Sequence, residues 1–446
     1  MTHRHARAAH YRRDGGPWDV DTLDRLLTVG HPSAPRAPVP FVARDVLVDG
    51  DIRLTAADVD DLVAVLAGGL RDLGVTRHAT VAWQVPNGFE AVLLFRACWR
   101  LGAIAVPIQP QVDAADAAAM VAQVEPTVVI GAAHLALGQL PNAILVGGPS
   151  LPARRREVPQ RRATDKPGGV PPSPPPAQER RRAPRHFAKL LGATPEVDGR
   201  AKPSDIAVVL FPAGATKGVV HTHRSLAAKA VALPAFHGLA TTDTVLVATP
   251  LADVPGLLDG VLVAGLTGMK CVLMPSWNPA IALDLIERER VTYLAGPPPF
   301  AASLMHESDF TTHHVRSLRM LSTGGAAATA AFVDDASRAF GADVTRSYGS
   351  SEAPNVTATR VGEPDDARRG SDGRVTMADT ELRVVDPDTE LERPPGGEGE
   401  LWVRGPELFA GYLDPEQTRA AFARGGWFRT GDRAVLDADG RLTIVP

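Results

Sequence analysis

The sequence places a lysine among small residues in a short run that could hold a phosphate group. The run occupies residues 211–218 (FPAGATKG) and includes Gly214, Thr216, Lys217 and Gly218. Small residues allow backbone N–H groups to approach an anion, and the lysine adds a positive charge. The spacing differs from the GxxxxGK[ST] pattern of a P-loop. Taken alone, the run favours an ordinary turn over a phosphate site.

A second run, residues 347–352 (SYGSSE), brings three chemical functions together. Tyr348 offers an aromatic face for stacking, and Ser350 and Ser351 offer hydroxyl groups for a phosphate. Glu352 supplies a carboxylate that could bind Mg²⁺ through one oxygen, as magnesium sites commonly do. A loop without a function rarely combines these three groups, so the functional interpretation is favoured here.

Two further glycine-rich runs could complete a nucleotide site. Residues 322–326 (STGGA) leave a peptide edge without side chains at Gly324 and Gly325, against which a flat ligand could lie. A tight strand-to-helix turn explains that run equally well. Residues 425–432 (GGWFRTGD) end at Asp432, whose two carboxylate oxygens could accept both hydroxyls of a ribose. Taken alone, that run favours an aspartate in a β-turn.

The elements that must position these runs follow an α/β pattern. Leucines at helical spacing over residues 62–73 end at Gly74, and Asn87 is predicted to cap a helix that ends at Gly102. Helices are also expected over residues 279–290 and 328–340. The predicted strands are residues 80–85, 104–108, 127–130, 144–146, 206–211, 244–248, 271–274, 291–294, 320–322 and 343–347. This rhythm predicts parallel strands with helices on both faces.

The chain divides into five segments by composition. Residues 1–16 are a basic tail that we expect to be disordered, and residues 17–150 form a first α/β subdomain. Residues 151–203 are rich in arginine and proline and should be a disordered insertion, because they cannot bury enough apolar surface to offset their ordering entropy. Residues 204–373 form a second α/β subdomain. Residues 374–446 form a small β subdomain with strands at 381–385, 400–403 and 441–445, the last preceded by an Asp-Gly hairpin signal.

Composition excludes several classes of protein. The 446 residues are 44% hydrophobic and 22% charged, which excludes general disorder, and the net charge of −4 predicts neither a nucleic-acid nor a membrane partner. Two cysteines exclude a disulfide framework. The most apolar stretch, residues 254–269, is too short to span a bilayer and contains Pro255 and Asp259. With no secretory signal at the start, we expect a cytoplasmic protein.

Together, and in this order, the four runs resemble the adenylate-forming (ANL, AMP-binding) superfamily, and most of all its acyl-CoA synthetases. The matching text includes residues 216–223 (TKGVVHTH), 324–326 (GGA), 348–352 (YGSSE), 399–406 (GELWVRGP) and 427–432 (WFRTGD). The resemblance covers nearly the whole chain apart from the tail and the insertion. It implies a large N-terminal domain of layered β-sheets and helices (αβαβα) plus a small β-rich subdomain.

The resemblance implies a two-step ligase. A carboxylate and ATP give an acyl-adenylate and pyrophosphate, and the thiol of CoA then displaces AMP. ATP, Mg²⁺ and CoA are therefore the expected cofactor and co-substrates, and a small-molecule carboxylic acid is the expected substrate. A carrier protein or a second copy of the chain are further partners that the resemblance allows.

The resemblance also implies roles for individual residues. Tyr348 would stack on adenine, Asp432 would bind the ribose hydroxyls, Glu352 would bind Mg²⁺, and Ser351, where the family usually has threonine, would contact the α-phosphate. The implied catalytic residues are Glu352, Ser351 and Lys217. The implied ATP or AMP site consists of Gly214, Thr216, Lys217, Gly218, Gly324, Gly325, Ala326, Tyr348, Gly349, Ser351 and Asp432. The implied acyl pocket consists of Asp253, Val254, Gly256 and Ser350, with Gly349 beside them.

The sequence departs from the family pattern in three places. The run before Lys217 is two residues short and has lost most of its hydroxyls, which predicts a weaker hold on the β- and γ-phosphates. Asp253 stands where relatives often have histidine and, if ionised, would disfavour a carboxylate or a strongly apolar tail beside it. The sequence ends at Pro446, where the family continues into a hinge and a small mobile domain.

These departures lead us to expect impaired acid activation and crippled or absent thioester formation. Two alternatives remain at this stage. One is a catalytically dead relative that binds adenylates or serves as a scaffold, and the other is a nonribosomal-type amino-acid adenylation domain.

Overall fold

The computed structural model describes residues 7–28, 44–147, 185–308, 310, 315–326 and 328–445. The strands are β1 (Asp45–Asp49), β2 (Ile52–Thr55), β3 (Thr80–Gln84), β4 (Ile104–Pro107), β5 (Val128–Ala132), β6 (Ile144–Val146), β7 (Arg185–His186), β8 (Ile206–Leu210), β9 (Val219–Thr222), β10 (Thr244–Val247), β11 (Lys270–Leu273), β12 (Tyr293–Gly296), β13 (Met320–Thr323), β14 (Asp343–Tyr348), β15 (Thr357–Ala358), β16 (Arg374–Val375), β17 (Glu381–Val385), β18 (Glu398–Arg404), β19 (Gly411–Tyr412), β20 (Phe422–Ala423), β21 (Trp427–Leu436) and β22 (Leu442–Val445). The α-helices are α1 (Ala8–Tyr11), α2 (Leu23–Leu27), α3 (Ala56–Asp72), α4 (Phe89–Leu101), α5 (Ala114–Val124), α6 (His223–His237), α7 (Val254–Gly256), α8 (Ala264–Thr267), α9 (Pro279–Glu289), α10 (Pro298–Met305), α11 (Ala330–Phe340), α12 (Asp365–Gly370) and α13 (Pro415–Ala421). None of the helices in these ranges is both long and apolar enough to cross a membrane.

The strands within these ranges form sheets of nine, eight and five strands. The nine-stranded sheet has the order β16-β15-β14-β13-β12-β10-β11-β1-β2, and its central strands from β14 to β1 run parallel. The eight-stranded sheet has the order β19-β9-β8-β4-β3-β5-β6-β7, in which β9 is antiparallel to both neighbours. The five-stranded sheet joins β17, β18, β21 and β20, with β22 on β21.

The two large sheets enclose a shared layer of helices. Helices α3, α4 and α6 bury apolar residues against strands of both sheets, and almost every side chain of α4 is buried. Helices α9, α10 and α11 cover the other face of the nine-stranded sheet, and α5 covers the other face of the eight-stranded sheet. This αβαβα layering with a small β-rich subdomain confirms the fold class expected from the sequence.

Local signals set most element boundaries, but one predicted cap is wrong. The structure places Gly88, rather than Asn87, at the N-terminal cap of α4. The buried Asn87 amide instead donates to the carbonyls of Thr249 (2.9 Å) and Met274 (3.2 Å), and its oxygen accepts from the N–H of Leu251 (2.8 Å). The side chain thereby satisfies backbone groups beyond the ends of β10 and β11, which a capping hydrogen bond would have left unpaired.

Two segments expected to be disordered are partly packed. In the predicted tail, Tyr11 is fully buried within α1, and Trp18, just beyond the tail, donates from Nε1 to the carbonyl of Pro406 at 2.8 Å. In the predicted insertion, the buried side chains of Phe187 and Leu190 join the apolar cluster that contains α3. These aromatic and aliphatic residues bury surface that the surrounding charge had obscured. Residues 1–6 and 148–184 lie outside the described residues, so those parts of both expectations stay predictions.

A buried ion pair joins α6 to the small β subdomain. Lys229 and Glu407 are both fully buried, with Nζ and Oε1 3.3 Å apart. Lys229 also donates to Thr376 Oγ1 (2.7 Å) and to the Asn355 carbonyl (3.1 Å), while Thr380 donates to Glu407 at 2.6 Å. Burial lowers the pKa of Lys229, and the Glu407 carboxylate opposes that shift.

Removing one partner of this pair should strongly destabilise the protein. We expect Lys229→Met to lower the free energy of unfolding by about 3–5 kcal/mol, because Glu407 would be left as a lone buried charge. The double variant Lys229→Met/Glu407→Gln should recover much of that loss. Urea unfolding followed by circular dichroism measures both.

The exposed pair Glu416–Arg419 provides the matched control. Glu416→Gln should change the unfolding free energy by less than about 1 kcal/mol. Equal effects of Lys229→Met and Glu416→Gln would contradict this view of the buried pair.

Candidate functional site

A cavity of about 260 Å³ opens at the carboxyl edge of the nine-stranded sheet. It lies where loops leave β10, β12, β13 and β14, whose carboxyl ends share one edge because these strands are parallel. The cavity is lined by Pro212, Ala213, Thr249, Asp253, Val254, Pro255, Leu258, Asp259, Tyr293, Ala295, Gly296, Pro297, Ser322, Gly324, Gly325, Ser347, Tyr348, Gly349, Ser350, Ser351 and Asn355. Most of these groups are apolar or small, as in sites that enclose a small molecule.

Two glycines beside this cavity allow neighbouring loops to pack closely against each other. A Cβ atom at Gly324 would lie 2.4 Å from Oγ of Ser347, and one at Gly349 would lie 2.5 Å from the backbone nitrogen of Asn355. Neither position can accept a side chain without a shift of its neighbours. The loops after β13 and β14 can therefore pack side by side and leave peptide edges exposed to a ligand.

Tyr348 connects this edge to the small β subdomain. Its hydroxyl donates to Asp432 Oδ2 at 2.6 Å. Burial, reinforced by the Asp432 carboxylate, raises the pKa of Tyr348, so the phenol stays protonated. Tyr348 lines the cavity, and Asp432 is held directly behind its hydroxyl group.

Asp432 projects from a β-bulge. Glu400 of β18 pairs with Arg433 of β21, whereas Trp402 pairs with Arg429, so the β21 side contains two extra residues. Gly431 within the bulge has a φ of 78°, a conformation that favours glycine. A bulge changes the direction of a side chain, and here it aims Asp432 at Tyr348. The sequence analysis had weighed a simple turn at this position.

A lysine, a carboxylate and a tyrosine meet beside the cavity. Lys217 Nζ lies 3.8 Å from Glu352 Oε1 and 3.9 Å from the centre of the Tyr412 ring. The Tyr412 hydroxyl donates to Glu352 Oε1 at 2.7 Å, and burial together with the Glu352 carboxylate raises the pKa of Tyr412. Lys217 belongs to the loop between the antiparallel strands β8 and β9, so this loop is a hairpin connection and differs from a P-loop.

A buried histidine fixes the backbone at Ser351. His221 Nε2 lies 2.7 Å from the Ser351 carbonyl oxygen. Burial lowers the pKa of His221 to about 4, so the ring is neutral near pH 7 and donates its Nε2 proton to this carbonyl. The sequence analysis used His221 only as part of a motif and gave it no role.

The other wall of the cavity carries two carboxyl groups. Asp253 caps α7 by accepting from the Val254 N–H at 2.9 Å, and burial raises its pKa. Asp259 accepts from the Tyr293 hydroxyl at 3.0 Å, and burial raises the pKa of Asp259 to about 7. The sequence analysis predicted Asp253 but missed Asp259 and Tyr293. The available signal was a lone carboxylate inside the most apolar stretch of the chain.

The structure brings most of the predicted residues together. Eight of them line the cavity: Asp253, Val254, Gly324, Gly325, Tyr348, Gly349, Ser350 and Ser351. Asp432 adjoins it through Tyr348, and Lys217 and Glu352 lie beside Ser351. Besides these three neighbours, five predicted residues are not among its lining residues: Gly214, Thr216, Gly218, Ala326 and Gly256. Gly256 faces the backbone of Pro250, where a Cβ would lie 2.1 Å from the carbonyl oxygen.

Comparison with known proteins gives one consistent result. The profile of the AMP-binding enzyme family matches residues 36–413. The medium-chain fatty-acid–CoA ligase of Escherichia coli (strain K12) is 27% identical over 449 residues, which cover all of this chain and 75% of the relative. The 4-coumarate–CoA ligase 1 of Oryza sativa subsp. japonica is 30% identical over 434 residues, covering 90% of this chain and 71% of the relative.

Solved structures agree with the sequence comparison. The anthranilate CoA ligase AuaEII in complex with anthranoyl-AMP superimposes with a TM-score of 0.80 at 22% identity, covering 95% of this chain and 77% of the other. The N-terminal domain of FACL13 from Mycobacterium tuberculosis superimposes with a TM-score of 0.77 at 25% identity, covering 96% of this chain and 100% of the other.

The neutral His221 should make stability depend on pH. Its folded-state pKa of about 4 lies below the ordinary 6.5, so the unfolded chain binds the extra proton between these values. The His221 contribution to the free energy of unfolding should therefore be lost as pH falls from about 6.5 to 4. His221→Gln removes this group. The slope of the unfolding free energy against pH, measured by urea unfolding, should therefore fall in this range by the contribution of about one bound proton.

The exposed His306→Gln serves as the control, and its stability should run parallel to that of the parent chain. If His221→Gln also gives a parallel curve, His221 is not the buried neutral group described here.

Proposed function

The chain belongs to the AMP-binding enzyme family, and we propose that the cavity beside Tyr348 is where it activates a carboxylic acid as an acyl-adenylate. Its relatives are acyl-CoA ligases, so in this proposal the activated acyl group is transferred to the thiol of CoA. The observation that carries the proposal is the convergence of four distant runs on one cavity. Tyr348 lines it and is hydrogen-bonded to Asp432, and Glu352 and Lys217 lie beside it.

The nucleoside part of ATP is assigned to the edge formed by the loops after β13 and β14. Tyr348 provides the ring on which adenine stacks, and Gly324, Gly325 and Ala326 border the base. The phenol holds one oxygen of Asp432, which leaves the other to accept ribose hydroxyl groups. Gly349 keeps this edge free of a side chain.

Glu352 is the residue we assign to Mg²⁺. Both Tyr412 and Lys217 approach the same oxygen, Oε1, so Oε2 can serve as a metal ligand. Among the described residues no group of three or more His, Cys, Asp or Glu side chains could hold a metal. That absence fits a magnesium ion held by one carboxylate and the phosphates of ATP. The bound ion would neutralise charge on the phosphates.

Lys217 and Ser351 are assigned to the phosphates themselves. The Lys217 ammonium is held between the Glu352 carboxylate and the face of Tyr412, and it can turn toward an incoming phosphate. Ser351 lines the cavity, and its backbone is fixed by His221. Gly214, Thr216 and Gly218 lie on the loop that carries Lys217. Fixed donors of this kind stabilise the charge that builds on the α-phosphate during attack by the carboxylate.

The acyl part of the substrate is assigned to the wall formed by Asp253, Val254 and Ser350. Asp253 is held at the start of α7 by the Val254 N–H, and burial raises its pKa. Support for acid substrates comes from the relatives, whose names specify a medium-chain fatty acid and 4-coumarate.

Pyrophosphate exchange tests the assignment. The chain is incubated with ATP, Mg²⁺, labelled pyrophosphate and a panel of carboxylic acids, and CoA-thioester formation is followed in parallel. We expect exchange with at least one acid. Absence of exchange, together with calorimetric binding of ATP or an acyl-adenylate mimic, would favour an adenylate-binding scaffold, which the short loop before Lys217 also allows. Exchange with amino acids alone would favour a nonribosomal-type adenylation domain.

Replacing Glu352 should separate metal use from folding. Glu352→Gln keeps the size of the side chain and its bond to Tyr412 but removes the charge, so kcat/KM for exchange should fall by about 10²–10³. The concentration of Mg²⁺ needed for half-maximal rate should rise. Glu416→Gln, an exposed carboxylate on α13, should leave both values unchanged, and an unchanged Mg²⁺ requirement in Glu352→Gln would contradict the assignment.

A further inference from the structure

One end of the cavity is lined by Tyr293 and Asp259. Tyr293 begins β12 and Gly296 ends it, so Tyr293 lies three residues, about 10 Å, below the strand tips. Asp259 faces it from the π-helical segment Leu257–Val263, and the Tyr293 hydroxyl donates to Asp259 Oδ1 at 3.0 Å. Both residues line the cavity. Such π-helical turns are frequent at functional sites.

The ionisable groups at this end of the cavity are acidic. Among the described residues that line the cavity, Asp253 and Asp259 carry carboxyl groups and none is lysine, arginine or histidine. The other titratable groups that act on Asp259 are Tyr293 from β12 and Cys271 from β11, and burial raises the pKa of both, so they are neutral. Arg319 is a cation whose charge acts on Tyr293. Two of its guanidinium nitrogens donate to the Asp243 carboxylate.

A carboxyl group in this position is costly without a partner. Asp259 lies between the buried Leu258 and Val261, and its pKa is raised to about 7 because burial outweighs the opposing hydrogen bond from Tyr293. Tyr293 occupies one of its oxygens, which leaves the second as an acceptor. A ligand that brings a positive charge and a hydrogen-bond donor would satisfy both the charge and the free oxygen.

We infer that Asp259 and Tyr293 form a specificity subsite for a protonated amine, carried by the substrate acid at the end remote from its carboxylate. The inference rests on the proposed function, because it takes the acyl part of the substrate to lie along β12. Tyr293 orients the Asp259 carboxylate, and Asp259 binds the ammonium group. The apolar walls contributed by Val254, Leu258 and Ala295 contact the chain between the two ends of the acid.

The subsite has a predictable dependence on pH. In the free protein Asp259 is about half protonated near pH 7, whereas a bound ammonium favours the ionised form. Binding of the amino acid therefore releases a proton and tightens as pH rises through about 7. An aliphatic amine keeps its proton over this range, since its pKa is about 10.

Matched pairs of acids test the subsite. The probes are 4-aminobutanoate, 6-aminohexanoate and 8-aminooctanoate, each compared with the alkanoate in which a methyl group replaces the ammonium: pentanoate, heptanoate and nonanoate. Pyrophosphate exchange gives kcat/KM for each, and calorimetry gives binding without turnover. In the parent chain we expect one amino acid to exceed its alkanoate by at least about tenfold, with the ratio rising between pH 6 and 8.

Two variants identify the residues responsible. Asp259→Asn should lower the ratio of amino acid to alkanoate by about tenfold to a hundredfold and remove its pH dependence. Tyr293→Phe removes a donor that lowers the pKa of Asp259, so the midpoint of the pH dependence should move upward. The exposed Asp335→Asn is the matched control and should change neither value.

The outcomes separate this inference from the function on which it rests. If alkanoates are activated as well as or better than their amino partners, and Asp259→Asn does not alter the ratio, the subsite is overturned while adenylate formation stands. If no acid supports exchange, the proposed function fails, and calorimetry with 6-aminohexanoate and heptanoate decides the subsite alone: equal binding overturns it. Tyr293→Phe keeps the test available if Asp259→Asn does not fold.

Discussion

The hydrogen bond between Tyr348 and Asp432 is the contact on which the geometry of the cavity depends. Tyr348 ends a strand of the nine-stranded sheet, and Asp432 projects from the five-stranded sheet, so this bond joins two separately built parts of the molecule. Each partner is placed by its own backbone: parallel strands bring the loop of Tyr348 to the sheet edge, and a β-bulge turns Asp432 toward it. The sheet edge that we propose for the nucleotide is formed only where these two backbones meet.

Two further groups beside the cavity are held in the same way, by hydrogen bonds between sequence-distant residues. His221 fixes the carbonyl of Ser351, and Tyr412 fixes the carboxylate of Glu352. Groups held in place before the ligand arrives need little reorganisation during the reaction, which is the physical basis of electrostatic catalysis. The buried pair Lys229–Glu407 stabilises the same region, because Lys229 also donates a hydrogen bond to the carbonyl of Asn355 on the cavity wall.

The sequence was sufficient to predict the fold class, and eight of the predicted site residues line the cavity, but it did not predict the hydrogen bonds between them. Tyr348 and Asp432 belong to runs whose residue types indicate a binding function. The pattern of apolar segments predicted the strands that carry these runs. The sequence could not show that Tyr412 bonds to Glu352, because contacts across 60 residues depend on how the chain turns in space. Asp259 was visible only as an interruption of an apolar stretch, and its pairing with Tyr293 required the register of β12. Trp18 was missed because neighbouring charges hid how much surface it buries.

The contact of Trp18 with Pro406 also bears on how the protein is made. These residues are 388 positions apart, so Trp18 leaves the ribosome long before its acceptor exists. At about 5–20 residues per second, the delay is about 20–80 s. During that interval the indole of Trp18 has not reached its final buried position and is accessible to chaperones. The contact between Trp18 and Pro406 can thus form only after residue 406 has been synthesised, and it joins segments of the chain that are translated far apart in time.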